Sequence, residues 1–441
     1  MTWFYILSVI VPILSFFLFK WSCGSMSFNK LSIVSFIYYF WLMFVCYVGV
    51  TMIVIGADVY FINNKTTLLT LQVFYAVSYV LLTLPIGVKI ASILFKKSPK
   101  ERLDNFYSEK QNSVKSYNYK FWIFCLVISI ASGLYTTLYV PEVPFFKMLT
   151  GASEEDLLRA RFTSKFEFTG VPYIKNLLFH VLSVLCSFVF FNIYLRNRNN
   201  FNYLFLTIIS ISWGIYSEGF NGEKAPLVFY LIALVLNYYI ITGKKIGVIQ
   251  SLKIGLISFL GVMVMYFLVS GEVHLSLTAG LIGRIVFVPT MGLFLTFLYF
   301  PEQIAFLNGA SFPNWIVSSF GLEHQRSARA IMELRYEDGV DAGTAGVMNT
   351  LFVGEAYANF GQFGLMISPF FVGFIVGLIH NWIIRKPGNY LSVALMVYFM
   401  MNVPIVGGFV DFVWNVSWFF LGILIFAGRK LNFSSLRLHS N

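Results

Sequence analysis

The chain has 441 residues, 58% of them hydrophobic and only 12% charged, with a mean hydropathy of +0.75. No globular core of this length buries so much apolar surface, so a water-soluble domain is excluded and a polytopic membrane protein is expected. The formal charge of +11 gathers in a subset of loops, a pattern that sets orientation against anionic lipid and does not call for a nucleic-acid partner.

Taken in chain order, apolar runs of about the 20 residues needed to cross a hydrocarbon core extend over Trp3 to Phe19, Leu31 to Gly56, Leu68 to Phe95 and Phe121 to Val140. They continue over Ile174 to Leu195, Phe201 to Tyr216, Ala225 to Ile241 and Ile254 to Ser270, then Phe363 to Ile383, Tyr390 to Pro404 and Phe412 to Ala427. The expected fold is all-α, a single integral membrane domain over residues 1–441. Alternate connections are basic: Lys20 and Lys30, the 96–120 loop, Arg196 and Arg198, Lys244 and Lys245, Arg385 and Lys386, Arg429 and Lys430. The positive-inside rule makes these cytoplasmic. The other connections, among them a 142–173 loop, the turn 218–224, the large region 271–360 and a short turn at Asp411, hold every Asp and Glu except Glu101, Asp104 and Glu109. The reading gives about 11 spans with the N-terminus outside and the C-terminus inside.

That arithmetic makes a demand on residues 281–300, whose apolar character resembles another span. Counting it as a crossing puts Arg385 and Lys386 on the outer face, so an interfacial or re-entrant helix is expected there, led by Arg284 and carrying Pro289. The first run has no basic leader or cleavage site and is expected to stay as an anchor. Cys23 falls in a cytoplasmic loop and Cys46, Cys125 and Cys186 in spans, with no zinc spacing, so neither metal nor other cofactor is expected.

Chemistry is sought on the acidic face, where arginines collect. In the 142–173 loop Ser153 caps a helix that opens on Glu154, Glu155 and Asp156 and carries Arg159 and Arg161 toward its far end. Lys224 follows a tight turn containing Gly219 and Gly222, at the start of a helix with Pro226 in its first turn. Arg284 is set among apolar residues, where a guanidinium needs an anion or a carboxylate. Arg326 and Arg329, three apart, are expected on one helical face, with Glu323 and Glu333 as ion-pair partners in the plainer reading. Guanidinium forks match phosphate oxygens in pairs. On a face without nucleotide, the phosphorylated ligand is a lipid diphosphate, which also supplies the leaving group for glycosyl transfer. Glu355 either pairs with an arginine or acts as the base, His324 is the other candidate base, and Tyr357 and Asn359 offer hydrogen bonds to sugar.

The stretch Asn349-Thr-Leu-Phe-Val-Gly-Glu355-Ala-Tyr-Ala-Asn-Phe-Gly-Gln-Phe-Gly364 resembles the corresponding segment of the Wzy-type O-antigen polymerases, the oligosaccharide repeat-unit polymerases of bacteria. So do the Gly222-Glu-Lys224 turn and the stretch from Arg284 to Pro289, and the plan of spans, basic inner loops and arginine-bearing outer loops is similar along nearly the whole chain. Asn349, heading the first element, joins Tyr357 and Asn359 as a glycan-facing candidate. The resemblance implies a metal-independent, inverting glycosyltransferase of the bacterial inner membrane that works at the periplasmic face. It would move a growing glycan from undecaprenyl diphosphate onto a new lipid-linked repeat unit, with membrane lipid around it and a Wzz-type chain-length co-polymerase as partner. Related ligases tend to carry a His-Asn pair where this chain has Met348 and Asn349, which argues against ligation. A flippase or exporter of lipid-linked oligosaccharide is the other alternative. Transporters place ionisable groups inside their spans and show paired repeats, whereas these runs are read as nearly free of charge apart from His180, without evident repeats.

Overall fold

Backbone polar groups inside a bilayer must pair within their own segment, and every described element of the computed structural model is a helix. The structure describes residues 2–57, 66–108, 118–244, 281–341 and 348–430, with isolated positions between 247 and 263. Among the described residues, eight helices are long and apolar enough to cross a membrane, so the chain is polytopic. The expected connection at 58–65, most of the run Ile254 to Ser270, residues 271–280 and 342–347, and the side chain of Arg284 lie outside the described residues.

The helices are α1 (Thr2–Cys23), α2 (Ile33–Val54, π-helical over Ile37–Tyr47), α3 (Thr67–Ile93), α4 (Pro99–Ser108), α5 (Tyr119–Leu138) and α6 (Pro144–Leu149). Next come α7 (Glu154–Phe166), α8 (Ile174–Arg196), α9 (Phe201–Gly219), α10 (Lys224–Thr242), α11 (Leu281–Tyr299) and α12 (Asn314–Val317). The chain continues through α13 (Ser327–Arg335), α14 (Glu337–Asp341), α15 (Phe352–Ile384), α16 (Tyr390–Asn402), α17 (Val410–Val413) and α18 (Val416–Lys430). Two expectations are corrected here. Cys23 closes α1 instead of lying in a loop. The long helices also hold more ionisable groups than His180: Lys89 lies in α3 with its ammonium 5.0 Å from the Trp21 ring, Lys175 is buried in α8, and His380 is buried in α15.

Two compact units make up the chain. The first comprises Met1–Phe106, Val273–Lys386 and Asn402–Trp414. In it, Phe4 packs on Phe74 while Trp21 meets Lys89, so α1 and α3 run in the same direction. The Tyr47 hydroxyl donates to Ser8 O at 3.2 Å and the Tyr38 hydroxyl to Pro12 O at 3.0 Å, so α2 runs against α1. α15 is parallel to α3: the Tyr79 hydroxyl donates to Met366 O, the Leu84 carbonyl lies against Gly373, and Val88 lies against Gly377. Small residues four apart allow this backbone contact, the usual device where no hydrophobic force drives helices together. These relative directions are those that the alternation of loop charge requires. The ends of α3 and α15 that carry Lys96 and Arg385 lie together, and Arg102 donates to Asn381 Oδ1 at 2.6 Å there.

α11 touches the opposite halves of its neighbours. The Val286 carbonyl lies against Gly49, the Thr290 hydroxyl donates to Cys46 O at 3.3 Å, and Phe297 meets Tyr357 edge-on at 4.7 Å. α15 starts at Phe352, well ahead of the expected Phe363, because it contains a break: Gly361 has φ 58° and ψ −144°, a conformation essentially confined to glycine. The first segment folds back so that the Ala356 carbonyl rests on Gly364, where a Cβ has no room.

The second unit comprises Tyr107–Glu272, Pro387–Met401 and Asn415–Asn441. Its helices are tied by buried polar pairs, Ser129 to Ser183 at 2.8 Å, Thr207 to Phe190 O at 3.0 Å and Asn192 to Asn237 at 3.0 Å. One end is closed by α6, α7 and the turn between α9 and α10 over an aromatic core of Phe179 and Phe220, with Trp213 and Tyr216 packed against it.

Candidate functional site

In the second unit, Ser153 caps α7 as expected, its hydroxyl accepting from Asp156 N at 3.2 Å. The helix then carries Arg161 to the α9–α10 turn, where a guanidinium N–H donates to the Gly222 carbonyl. A charged donor on a carbonyl makes a charge-assisted hydrogen bond, so this contact ties the α7 side chain to the turn. Lys224 is the first residue of α10, two positions beyond that carbonyl, and is partly buried. Arg159 is exposed. A further cation was not picked out from the sequence: Lys175, second residue of α8, is 7% exposed, donates to the Ser164 carbonyl on α7, and sits 5.0 Å from the Phe168 ring and 5.7 Å from the Phe220 ring. The signal was a lysine just inside an apolar run, easily read as an anchor. Arg161, Lys175 and Lys224 therefore gather around one turn. Three other polar groups belong to it. His180 Nδ1 lies 3.1 Å from the Ser217 hydroxyl, Glu218, next to last in α9, is partly exposed, and Glu223, between Gly222 and Lys224, is exposed.

In the first unit the expected cationic face is not formed. Arg326 lies outside the helix, as the extended residue that precedes α13, and so does not share a face with Arg329. Its Nε is 2.6 Å from Glu355 Oε1, its Nη2 donates to Glu355 Oε2 at 3.5 Å, and its two terminal nitrogens each donate to an Asp411 oxygen at 3.1 Å. Burial works against the charge on Arg326, but Glu355 and then Asp411 outweigh it and raise the guanidinium above its ordinary value. Its donors are taken up by two carboxylates, so the structure gives Arg326 the place of a structural clamp and not that of the expected diphosphate ligand. Glu323, its expected plain partner, gives way to acids from α15 and the 402–414 segment. Arg329 pairs with Glu333 at 2.8 Å, an exposed contact of adjacent helical turns.

Glu355 is correspondingly spent. It is 1% exposed, and besides Arg326 it accepts from Val410 N at 3.0 Å, while Asp411 Oδ2 accepts from Gly408 N at 3.0 Å. Gly408 passes so close that a Cβ there overlaps Arg326 Nη2 and Glu355 Oε2. Of the two roles open to Glu355, the geometry has the pairing with an arginine, as the buried anchor of the clamp. Asn359 is likewise committed: its Oδ1 accepts from Gly309 N at 3.1 Å, and its Nδ2 donates to Ser311 Oγ and Glu355 O, which fixes the 307–311 loop and leaves no amide for sugar. His324 is exposed, and Nδ1 must donate to Phe312 O at 2.8 Å because a carbonyl only accepts. Asn349 is exposed. Tyr357 lines a cleft of about 360 Å3 together with Gln72, Tyr75, Tyr79, Phe297 and Gln362.

Comparison with protein-family models, with curated proteins and with solved structures finds no match to this chain.

Proposed function

We propose that this protein is a membrane-embedded glycosyltransferase that polymerises lipid-diphosphate-linked oligosaccharide repeat units, the activity implied by its resemblance to the Wzy-type polymerases. The single observation that carries the reading is the gathering of Arg161, Lys175 and Lys224 around the α9–α10 turn, at the end of two long helices. Arg161 and Lys175, each donating to a carbonyl, and Lys224 at a helix N-terminus suit a diphosphate and the charge that grows on it as the glycosidic bond breaks. Arg159 flanks the group, and Arg284 keeps its candidacy from sequence alone. Tyr357 remains a glycan-facing candidate, since phenols and amides along a cleft suit a neutral sugar.

The donor would be undecaprenyl-diphosphate-linked oligosaccharide at the periplasmic face of a bacterial inner membrane, the transfer inverting and metal-independent, and a Wzz-type co-polymerase the partner. On topology, the parallel course of α3 and α15 requires an odd number of crossings between them. That parity suits an interfacial or re-entrant α11, a choice that the contacts of α11 with Gly49 and Cys46 support. One observation favours the transport alternative, namely the buried Lys175 and His380 and the partly buried His180 inside long helices.

The test is incubation of purified protein with a lipid-linked repeat unit, without metal or nucleotide, and sizing of the glycan. Products lengthened by whole units support the proposal. Unchanged donor that is instead moved across a vesicle membrane supports transport and sinks it.

A further inference from the structure

We infer that the cleft of about 360 Å3 beside Tyr357 binds uncharged sugar residues of the lipid-linked repeat unit and not its diphosphate, with Gln72, Tyr75 and Gln362 as the groups that hold the sugar. The choice of a repeat unit rests on the transferase reading; the preference for an uncharged, hydroxyl-rich ligand rests on the cleft alone. One wall is α3, where Gln72, Tyr75, Ala76 and Tyr79 follow at spacings of three and four and so share a helical face. The small Ala76 between the two phenols leaves the hollow. The other wall depends on the break in α15. Tyr357 and Gln362, five positions apart, would point about 140° apart on a continuous helix, but with Gly361 at φ 58° between them both line the cleft. The Tyr357 ring is held edge-on by Phe297 at 4.7 Å and by Phe306 at 5.6 Å, and its hydroxyl donates to Phe300 O at 3.4 Å. The Tyr79 hydroxyl donates to Met366 O at 3.0 Å, so two of the three phenols are fixed parts of the wall.

The amides of Gln72 and Gln362 and the hydroxyl of Tyr75 are left for a ligand: all three side chains are exposed, and none is hydrogen-bonded to another described residue. Amides and phenols both donate and accept, as sugar hydroxyls do, whereas a diphosphate calls for cations and a hydrocarbon tail for no polar group at all. No lining residue is charged, and the charge that acts on Tyr357 is the Glu302 carboxylate, which repels an anion. The aromatic rings beside the amides give the C–H faces of a sugar a surface to lie on. Depth fits as well. α3 has 27 residues, about 40 Å at 1.5 Å per residue, and a hydrocarbon core of about 30 Å counted from its Ile93 end closes near Phe74. Gln72 and Tyr75 therefore stand where hydrocarbon gives way to head groups, the level at which sugars joined to a membrane-held lipid emerge.

The probe is the repeat-unit oligosaccharide freed by mild acid from its lipid diphosphate, titrated by equilibrium dialysis against the full chain in nanodiscs, with inorganic pyrophosphate and a sugar-free polyprenol as competitors. Wild type should bind the oligosaccharide, and neither competitor should displace it. Gln72→Ala and Gln362→Ala, each losing one exposed amide, should unfold at the wild-type temperature and bind about fivefold more weakly. In the elongation assay they should raise KM for the repeat unit by a similar factor and leave kcat nearly unchanged. No binding by wild type, displacement by pyrophosphate, displacement by the polyprenol, or two variants that bind as wild type does each overturns the sugar site; elongation by whole units in the same preparation then leaves the transferase reading intact. Binding that both variants weaken, with no elongation by wild type, keeps the site and sinks the transferase reading. The competition on wild-type protein decides the matter even if a variant does not fold.

Discussion

Replacing Glu355 by Gln separates a structural clamp from a catalytic base, because the two roles move different observables. In the folded protein Glu355 is 1% exposed and receives Arg326 through two nitrogens and Val410 N–H through a third donor. Removing one partner from a buried ion pair costs about 3 to 5 kcal/mol, mainly because the remaining charge is left without compensation. Here Arg326 keeps its fork to Asp411, and its side chain is 33% exposed, so the loss belongs at or below the low end, about 2 to 3 kcal/mol. Asp411→Asn removes a partner that is itself 35% exposed and should cost less, about 1 kcal/mol. The two changes should not add, because both act on one guanidinium; a double-mutant cycle in detergent should return a coupling of about 1 kcal/mol or more. The assay is thermal unfolding alongside elongation rate per folded molecule. A Glu355→Gln protein with wild-type stability and no elongation would refute the clamp and restore Glu355 as base.

Gly408→Ala puts a methyl where Arg326 and Glu355 meet, so it should open the clamp and lower stability by about 3 kcal/mol in the same unfolding assay, with no added effect in a Glu355→Gln background. Arg161→Ala should leave unfolding nearly unchanged and abolish long glycan, whereas Arg329→Ala, which breaks only an exposed pair worth about 0.3 to 0.5 kcal/mol, should alter neither; equal activity of the two variants would contradict the division between them. The Glu218 carboxyl, raised from 4.5 to about 7 in the folded protein, makes the folded state the tighter proton binder. Its contribution is thus favourable below pH 4.5 and is lost as pH rises through 7, a change of about 3 kcal/mol before solvent screening at its exposed edge reduces it. Glu218→Gln should therefore be more stable than wild type at pH 8 and equal to it at pH 4, and a difference that does not vary with pH would count against the burial of this carboxyl.

The spans were legible because each is a local pattern, an apolar run closed by charge, and the relative directions of α1, α2, α3 and α15 follow from which loops are basic. The break inside α15 was not, although its glycines were in view: Gly361 and Gly364 matter through a backbone reversal that no periodicity encodes. The arginines show the limit most sharply. From sequence, Arg326 and Arg161 look alike, each a guanidinium near acids in an outer loop. Their partners lie far along the chain: Glu355 is 29 and Asp411 85 positions from Arg326, and Gly222 is 61 from Arg161. The difference in partner decides what each can do. Two carboxylates take up the donors of Arg326, whereas Arg161 donates to a peptide carbonyl of the α9–α10 turn. Cations therefore gather less in the large C-terminal region, where arginines are most numerous, than at a short turn in the other unit, where Arg161 holds the Gly222 carbonyl and Lys224 follows it two residues on.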